Sequence, residues 1–154
     1  MLFRSKNTSL NSKVAPILNV DPMECFAHSY QERKDYLSKF LLRAQKNEKK
    51  VAIFGAGHLA IKFINFYNIS KFITCVIDDD INKNNMYLPG SNLQITSSAV
   101  LDNNQIDYCL LALSPESEIA VRRAKQSFLR NGGKFFSIFS GAESSIFGNV
   151  VWGN

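Results

Sequence analysis

Apolar residues in this chain follow two rhythms. Over residues 29–46, Tyr30, Tyr36, Leu37, Phe40, Leu41 and Ala44 recur at helical spacing, with Arg33, Lys34, Arg43 and Lys46 largely off that face. This predicts an amphipathic helix, and the simplest use of its stripe is to cover the chain's own sheet. Beyond it the apolar residues come in short continuous runs, over 51–54, 72–77, 108–113 and 135–139, each the pattern of a strand buried on both faces. Helix-compatible stretches separate the runs: 58–68, a brief turn opened by Ser97 or Ser98, and a longer helix to Arg130. Ser114-Pro115-Glu116 opens that last helix and Asn131-Gly132-Gly133 closes it, each residue type sitting at the helix end its chemistry favours. The weaker alternation of Leu93 and Ile95 follows a loop containing Pro89-Gly90. Strands alternating with helices predict an α/β fold, a parallel sheet flanked by helices and preceded by the amphipathic one.

Around this unit, residues 1–27 read as a polar tail or linker containing Pro16 and Pro22, residues 28–139 as the domain, and residues 140–154 as an extension. In the extension, Ile146-Phe147 and Val150-Val151-Trp152 add a strand or dock elsewhere. A hydrophobic content of 45% with 20% charged residues belongs to a globular chain and not to a disordered one. The net charge of +5 is uneven: residues 1–50 carry ten Lys/Arg against five Asp/Glu, and residues 51–154 carry eight of each. A nucleic-acid reader concentrates its basic residues on the folded reading surface, so this distribution predicts no nucleic-acid partner. No apolar run approaches the ~18–20 residues that span a bilayer, and no apolar stretch follows the first residues as in a secretory signal. A cytoplasmic protein with no membrane partner is expected. Cys75 and Cys109 sit in apolar runs as small hydrophobes. With Cys25, His28 and His58 they form no metal-ligand spacing, and no metal site is predicted.

The segment with the clearest chemistry is Gly55-Ala56-Gly57-His58-Leu59-Ala60, which matches G-x-G-x-x-[G/A] between a strand and a helix. Gly55 permits the tight turn, Gly57 lets a phosphate approach the backbone, and Ala60 keeps helix and strand close. The helix start offers unpaired N–H groups to an anion, with His58 either donating to it or merely exposed. About twenty residues on, Asp78 ends the second run, where an acid can accept from ribose hydroxyls. Asp79 is a weaker candidate and Asp80 reads as turn. No nucleophile–base constellation accompanies these residues, so no catalytic residue is assigned. The stretch ahead of Gly55 carries no acid of the kind that S-adenosylmethionine sites place there.

Residues from about 26 to 139 resemble the C-terminal domain of S-adenosylmethionine-dependent sugar C-methyltransferases. The resemblance rests on the Gly-Ala-Gly turn, then Asp78, Lys83, Pro89-Gly90-Ser91, Leu93 and Ile95, then Asp107-Tyr108-Cys109-Leu110-Leu111 and Glu118-Ile119. Asn85 stands where that family usually has glycine, and Ser114-Pro115 replaces its Trp-Asn pair. Asparagine is the next best residue for a left-handed backbone, so the turn at 85 is expected to survive. The same stretch is similar to the nucleotide-sugar-binding domain of bacterial sugar acetyltransferases. Both resemblances imply a Rossmann-like module that helps hold a dTDP- or UDP-linked sugar. They place Gly55, Ala56, Gly57, His58, Asp78, Asp79, Pro89, Gly90 and Ser91 at the ligand. The family's zinc-binding and methyl-transferring domains are not within these residues, so S-adenosylmethionine is expected only on a separate catalytic domain and no cofactor on this chain.

The leading expectation is therefore a nucleotide-sugar-binding accessory domain that is not catalytic alone. Three alternatives stand beside it. One is a component of a sugar C-methyltransferase acting with a separate catalytic chain. Another is an interaction module with a vestigial pocket, using Tyr36 and Phe40 on the leading helix. The last is an NAD-binding domain.

Overall fold

The computed structural model describes residues 22–148. The tail up to residue 21, the Cys25 side chain and Val150-Val151-Trp152 lie outside the described residues.

Strands β1 (Val51–Phe54), β2 (Ile73–Ile77), β3 (Ile95–Thr96), β4 (Tyr108–Leu111) and β5 (Lys134–Ser137) form one sheet in the order β3-β2-β1-β4-β5. All four neighbouring pairs are parallel. This is the Rossmann-like arrangement expected. Parallel pairing requires crossovers, and the crossovers supply a helical layer on each face. On one face lie α1 (Pro22–Lys46) and α2 (His58–Tyr67), which bury Leu37, Leu41, Ala44, Ala60 and Ile64 against Val51, Ile53, Val76 and Leu110. On the other, α3 (Ala99–Asp102) and α5 (Gln126–Arg130) bring Leu101 and Phe128 onto Ala52, Phe54, Ile77, Cys109 and Leu111. Alternate residues of β1 thus enter different cores, which is why its four positions are all apolar and all buried.

The leading helix begins at Pro22, seven residues before the expected start, and proline is tolerated there because a first-turn N–H has no helical partner. Its stripe faces inward. Phe40 packs on the rings of Tyr108 and Phe136, which also touch each other, and Tyr30 packs on Phe66 and Tyr67 of α2. Tyr36 lies at the margin of the stripe, 40% exposed. Seven of the ten basic residues in 1–50 lie on α1 or the link to β1, so most of the positive charge sits on the folded unit and not on a tail.

Three other expectations are adjusted. The helix after Ser114 breaks at Lys125 into α4 (Pro115–Ala124) and α5, where Asp102 takes hydrogen bonds from Lys125 and Ser127 at 2.8 and 2.7 Å. The Ser98 hydroxyl does not cap α3; the Ser98 N–H instead donates to Asp79 Oδ1 at 2.8 Å. Residues 140–148 add no full strand: Ser145 makes a single bridge to Ser137, and Ile146 and Phe147 are buried in the α1/α2 core. Cys109 is fully buried and Cys75 partly so, and burial raises both thiols above their ordinary range.

Ser114 caps α4 as its sequence implies, accepting from the Ser117 N–H at 3.3 Å. Ser114→Ala should lower stability by about 1 kcal/mol, read as a lower urea midpoint at unchanged slope.

Candidate functional site

In a parallel sheet of this order, ligands lie beyond the carboxyl ends of the strands, where the chain direction of the winding reverses. Here that point is between β1 and β4. The turn leaving β1 is held tightly. Gly55 adopts φ +104, and a Cβ there would stand 2.8 Å from both the Ala112 carbonyl oxygen and Leu113 Cδ2. The Gly55 N–H donates to the Ile77 carbonyl at 2.7 Å. Gly57, the residue preceding α2, has an ordinary extended backbone, and no atom lies within 4 Å of where its Cβ would be. No side chain caps the start of α2, so its first N–H groups, at the positive end of the helix dipole, are not taken up by a capping side chain. His58, its first residue, is exposed beside them.

Asp78 is placed at this turn but is already engaged. One carboxylate oxygen accepts from the Ala56 N–H and from Lys83 Nζ, both at 2.9 Å, and the other accepts from the Asp80 N–H at 3.0 Å. Its side chain is 15% exposed. Burial by itself would raise its pKa, but the hydrogen bonds from Lys83, Asp80 and Ala56 outweigh it and hold the carboxyl below its ordinary range. Asp78 thus acts as a clasp tying β2 to the glycine turn, with three of its roughly four acceptor positions committed inside the protein. Asp79 is likewise committed, to the start of α3, and Asp80 Oδ1 closes its own turn onto Asn82.

A carboxylate whose folded-state pKa is depressed adds stability above its unfolded-state pKa and loses that contribution as pH falls through the folded value. Asp78→Asn should therefore cost about 2 kcal/mol at neutral pH. The gap between the two chains should hold down to about pH 4 and close below it. Denaturant titrations of both chains across that range check this; a gap unchanged at low pH would contradict the ion-pair account.

Pro89-Gly90-Ser91 is not at the glycine turn. Residues 85–95 double back as a hairpin, with Tyr87 opposite Gln94 and the Leu88 N–H bonded to the Leu93 carbonyl. The hairpin tip rests against α2 at Asn65, whose side chain would lie 3.0 Å from a Cβ on Gly90. Asn65 is eight residues beyond Gly57, about 12 Å along the helix. Ser91 Oγ donates to the Leu88 carbonyl within the same turn. These three residues shape the hairpin, and the structure does not bring them together with Gly55–His58. The turn at Asn85 does survive the loss of glycine, with φ +64.

Glu118 is a residue whose position the sequence pattern did not disclose. It is 8% exposed, on the first turn of α4. It accepts from Ser137 Oγ at 2.7 Å at the end of β5, with Arg122 4.0 Å away. Arg122 in turn donates to Ser144 Oγ. The network fastens α4 to the end of β5 and ties Ser144 of the 140–148 segment to α4. Only the three-dimensional approach of β5 makes this glutamate interior; its neighbours Glu116 and Ile119 are exposed.

Among the described residues, no group of three or more His, Cys, Asp or Glu is placed to hold a metal ion, and no helix is long and apolar enough to cross a membrane.

Among solved structures, the chain is similar to UDP-D-quinovosamine 4-dehydrogenase from Vibrio fischeri at 23% identity and a TM-score of 0.49, over 64% of this chain and 88% of that one. It is also similar to the protein RSP in complex with β-NADH, at 15% identity and a TM-score of 0.43. That second match covers 58% of this chain and 44% of RSP, so the chain spans less than half of RSP's length. No curated protein matches it. The model of one family, the C-methyltransferase C-terminal domain, matches residues 11–139. With most of its length inside that match, the chain belongs to the C-methyltransferase C-terminal domain family.

Proposed function

We propose that this chain is the part of a sugar C-methyltransferase that holds the nucleotide sugar, with the methyl transfer carried out by another domain or chain. The observation that carries the reading is the open ground at Gly57 in front of the uncapped start of α2. Backbone N–H groups aligned with a helix dipole bind the phosphates of a nucleotide without needing a cation, and a diphosphate is the part that all nucleotide sugars share. Gly55, Ala56, Gly57 and His58 form the phosphate seat. Asp78 shapes that seat from below, and Pro89, Gly90, Ser91 and Asp79 support neighbouring elements.

The state of Asp78 also weighs between ligands. An NAD site in this fold uses the acid at the end of the second strand to accept from ribose hydroxyls. Here three donors already occupy that carboxylate, and displacing Lys83 would leave an ion pair broken. The same holds for the ribose of S-adenosylmethionine. The residues present therefore do not fit either molecule in that mode, and no step of methyl transfer is assigned to this chain. The inward-facing α1 stripe likewise leaves little of its apolar surface for a partner.

Thermal unfolding of the purified chain with dTDP-glucose, UDP-glucose, NAD and S-adenosylmethionine tests the reading. A ligand at ~100 times its dissociation constant adds about 2.7 kcal/mol, worth roughly 5–10 °C in a domain of this size. A rise with a nucleotide sugar, and none with the other two, is expected. A rise with NAD alone would overturn the assignment.

A further inference from the structure

At the amino edge of the sheet, opposite the glycine turn, lies a polar cavity of about 250 Å³. Its floor is apolar: Leu41 of α1, Val51 of β1 and Phe72 just ahead of β2. Gln45, Glu48, Lys49, Lys50, Lys71 and Thr74 form its rim. Three ammonium groups and a single carboxylate thus share one concave space, and the lining is net positive.

Two local features of the chain build this space. At the end of α1, Glu48 adopts the left-handed backbone, with φ +55, and the Lys49 N–H closes back on the Ala44 carbonyl at 2.9 Å. A left-handed residue is a common way for a helix to stop, and here it leads into β1 with Lys49 and Lys50 at the cavity. In β2 the register slips against β1: Val51 pairs with Ile73, but Ala52 pairs with Cys75. Thr74 is the extra residue, and a bulge of this kind re-aims a side chain. Because β3 pairs only with Val76 and Ile77, no strand among the described residues covers Thr74, which is exposed at the cavity.

The three cations are unevenly committed. Lys49 Nζ is bound to Asp107, outside the lining, at 2.8 Å. Lys50 and Lys71 make no ion pair among the described residues. Lys71 Nζ instead stands 4.9 Å from the centre of the Phe72 ring, a cation–π contact that holds it at the cavity wall. Lysines scattered singly on a surface are ordinary and solvated. These surround a concave space with an apolar floor, which focuses their field on whatever enters. Gln45 and Thr74 add neutral groups able to donate. Cations and donors gathered around one small space suit an anion with several acceptor oxygens and more than one charge. The volume is below the ~300–1,000 Å³ of pockets that take a drug-sized ligand, so the occupant is small.

We infer that this cavity binds the phosphate group of a small soluble molecule, held by Lys50, Lys71 and Thr74. The four residues of β1 put about 13 Å between it and the glycine turn. One phosphate cannot serve both places, and the cavity acts independently of which ligand the glycine turn holds.

Amide chemical shifts of the full chain, titrated with inorganic phosphate and separately with potassium chloride of equal ionic strength, test this. Phosphate should move the amides at positions 50, 71 and 74 along a saturating curve, and chloride should not. The amides of Gly57 and His58 report on the glycine turn, so the two sites succeed or fail separately. Lys50→Gln combined with Lys71→Gln, both at exposed positions, should weaken the response about tenfold or more. Thr74→Val keeps the side chain's shape and suits a strand; it should weaken the response several-fold and serves if the double variant fails to fold. Gly57→Val should leave the response unchanged. No saturating shift at these amides, an equal response to chloride, or an unweakened response in the folded variants would overturn the inference. So would capture of the chain by vesicles containing phosphatidic acid without any response to free phosphate, because the phosphate would then belong to a membrane surface.

Discussion

Gly55→Ala should lower stability by about 3–5 kcal/mol, through two causes that add at one atom. The first is backbone: φ +104 is a conformation that residues with a Cβ rarely adopt, and holding one there costs about 1–3 kcal/mol. The second is contact. The new methyl would meet the Ala112 carbonyl oxygen at 2.8 Å. That oxygen cannot easily retreat, since the Ala112 N–H is bonded to Phe54 at 2.9 Å as the β1/β4 ladder ends. Leu113 Cδ2, also at 2.8 Å, is the softer neighbour and would rotate first. Overpacking of this kind costs about 1–3 kcal/mol. Differential scanning calorimetry should find the melting temperature lower by roughly 10 °C; a variant melting with the wild type would show that the turn has room the structure does not give it.

Two residues on, the opposite result is expected. Gly57→Val should leave the fold almost untouched and reduce nucleotide-sugar binding by at least tenfold. The backbone at Gly57, φ −112 and ψ −173, is one that a β-branched residue prefers. The space beside it is open, so the change in stability should stay within about 1 kcal/mol. Those added methyls would stand where a phosphate must come to reach the first N–H groups of α2. Losing one hydrogen bond to a charged group is worth about 1.5–3 kcal/mol, or roughly ten- to hundredfold in dissociation constant. Calorimetric titration with a dTDP- or UDP-linked sugar reads it. A folded Gly57→Val chain that binds as the wild type does would place the ligand elsewhere. Taken together, the two expected results would separate a glycine needed by the fold from one needed by the proposed ligand.

What the sequence disclosed was what short-range chemistry decides. The four-residue run at β1, the glycines after it and the Ser114-Pro115 opening of α4 each carry their cause within a few residues, and each appears where expected. What it concealed depends on approach in space. Asp78 reads equally well as a ribose acceptor or a clasp until the Ala56 N–H and Lys83 are seen to converge on it. Pro89-Gly90-Ser91 follows the same strand as Asp78, yet the hairpin carries it to the far end of α2. The Ser98 hydroxyl does not cap α3, whose Leu101 N–H bonds the Ser98 carbonyl, while the Ser98 N–H is held by Asp79 from a distant strand end. The Lys125 break has the same kind of cause, Asp102 drawing on both Lys125 and Ser127. Glu118 has an ordinary surface sequence around it and becomes interior only when Ser137 arrives.

The family match ends at residue 139, whereas the α1/α2 core continues to Ile146 and Phe147. Evolutionary and physical boundaries therefore differ here by several residues. Anyone excising this module, or grafting it onto another protein, would need to carry the sequence through residue 148. A cut at the edge of the family match would remove the buried Ile146 and Phe147, strip Phe147 from Phe63 and Tyr67, and open the hydrophobic interior to solvent. The packed core reaches further along the chain than the family match does.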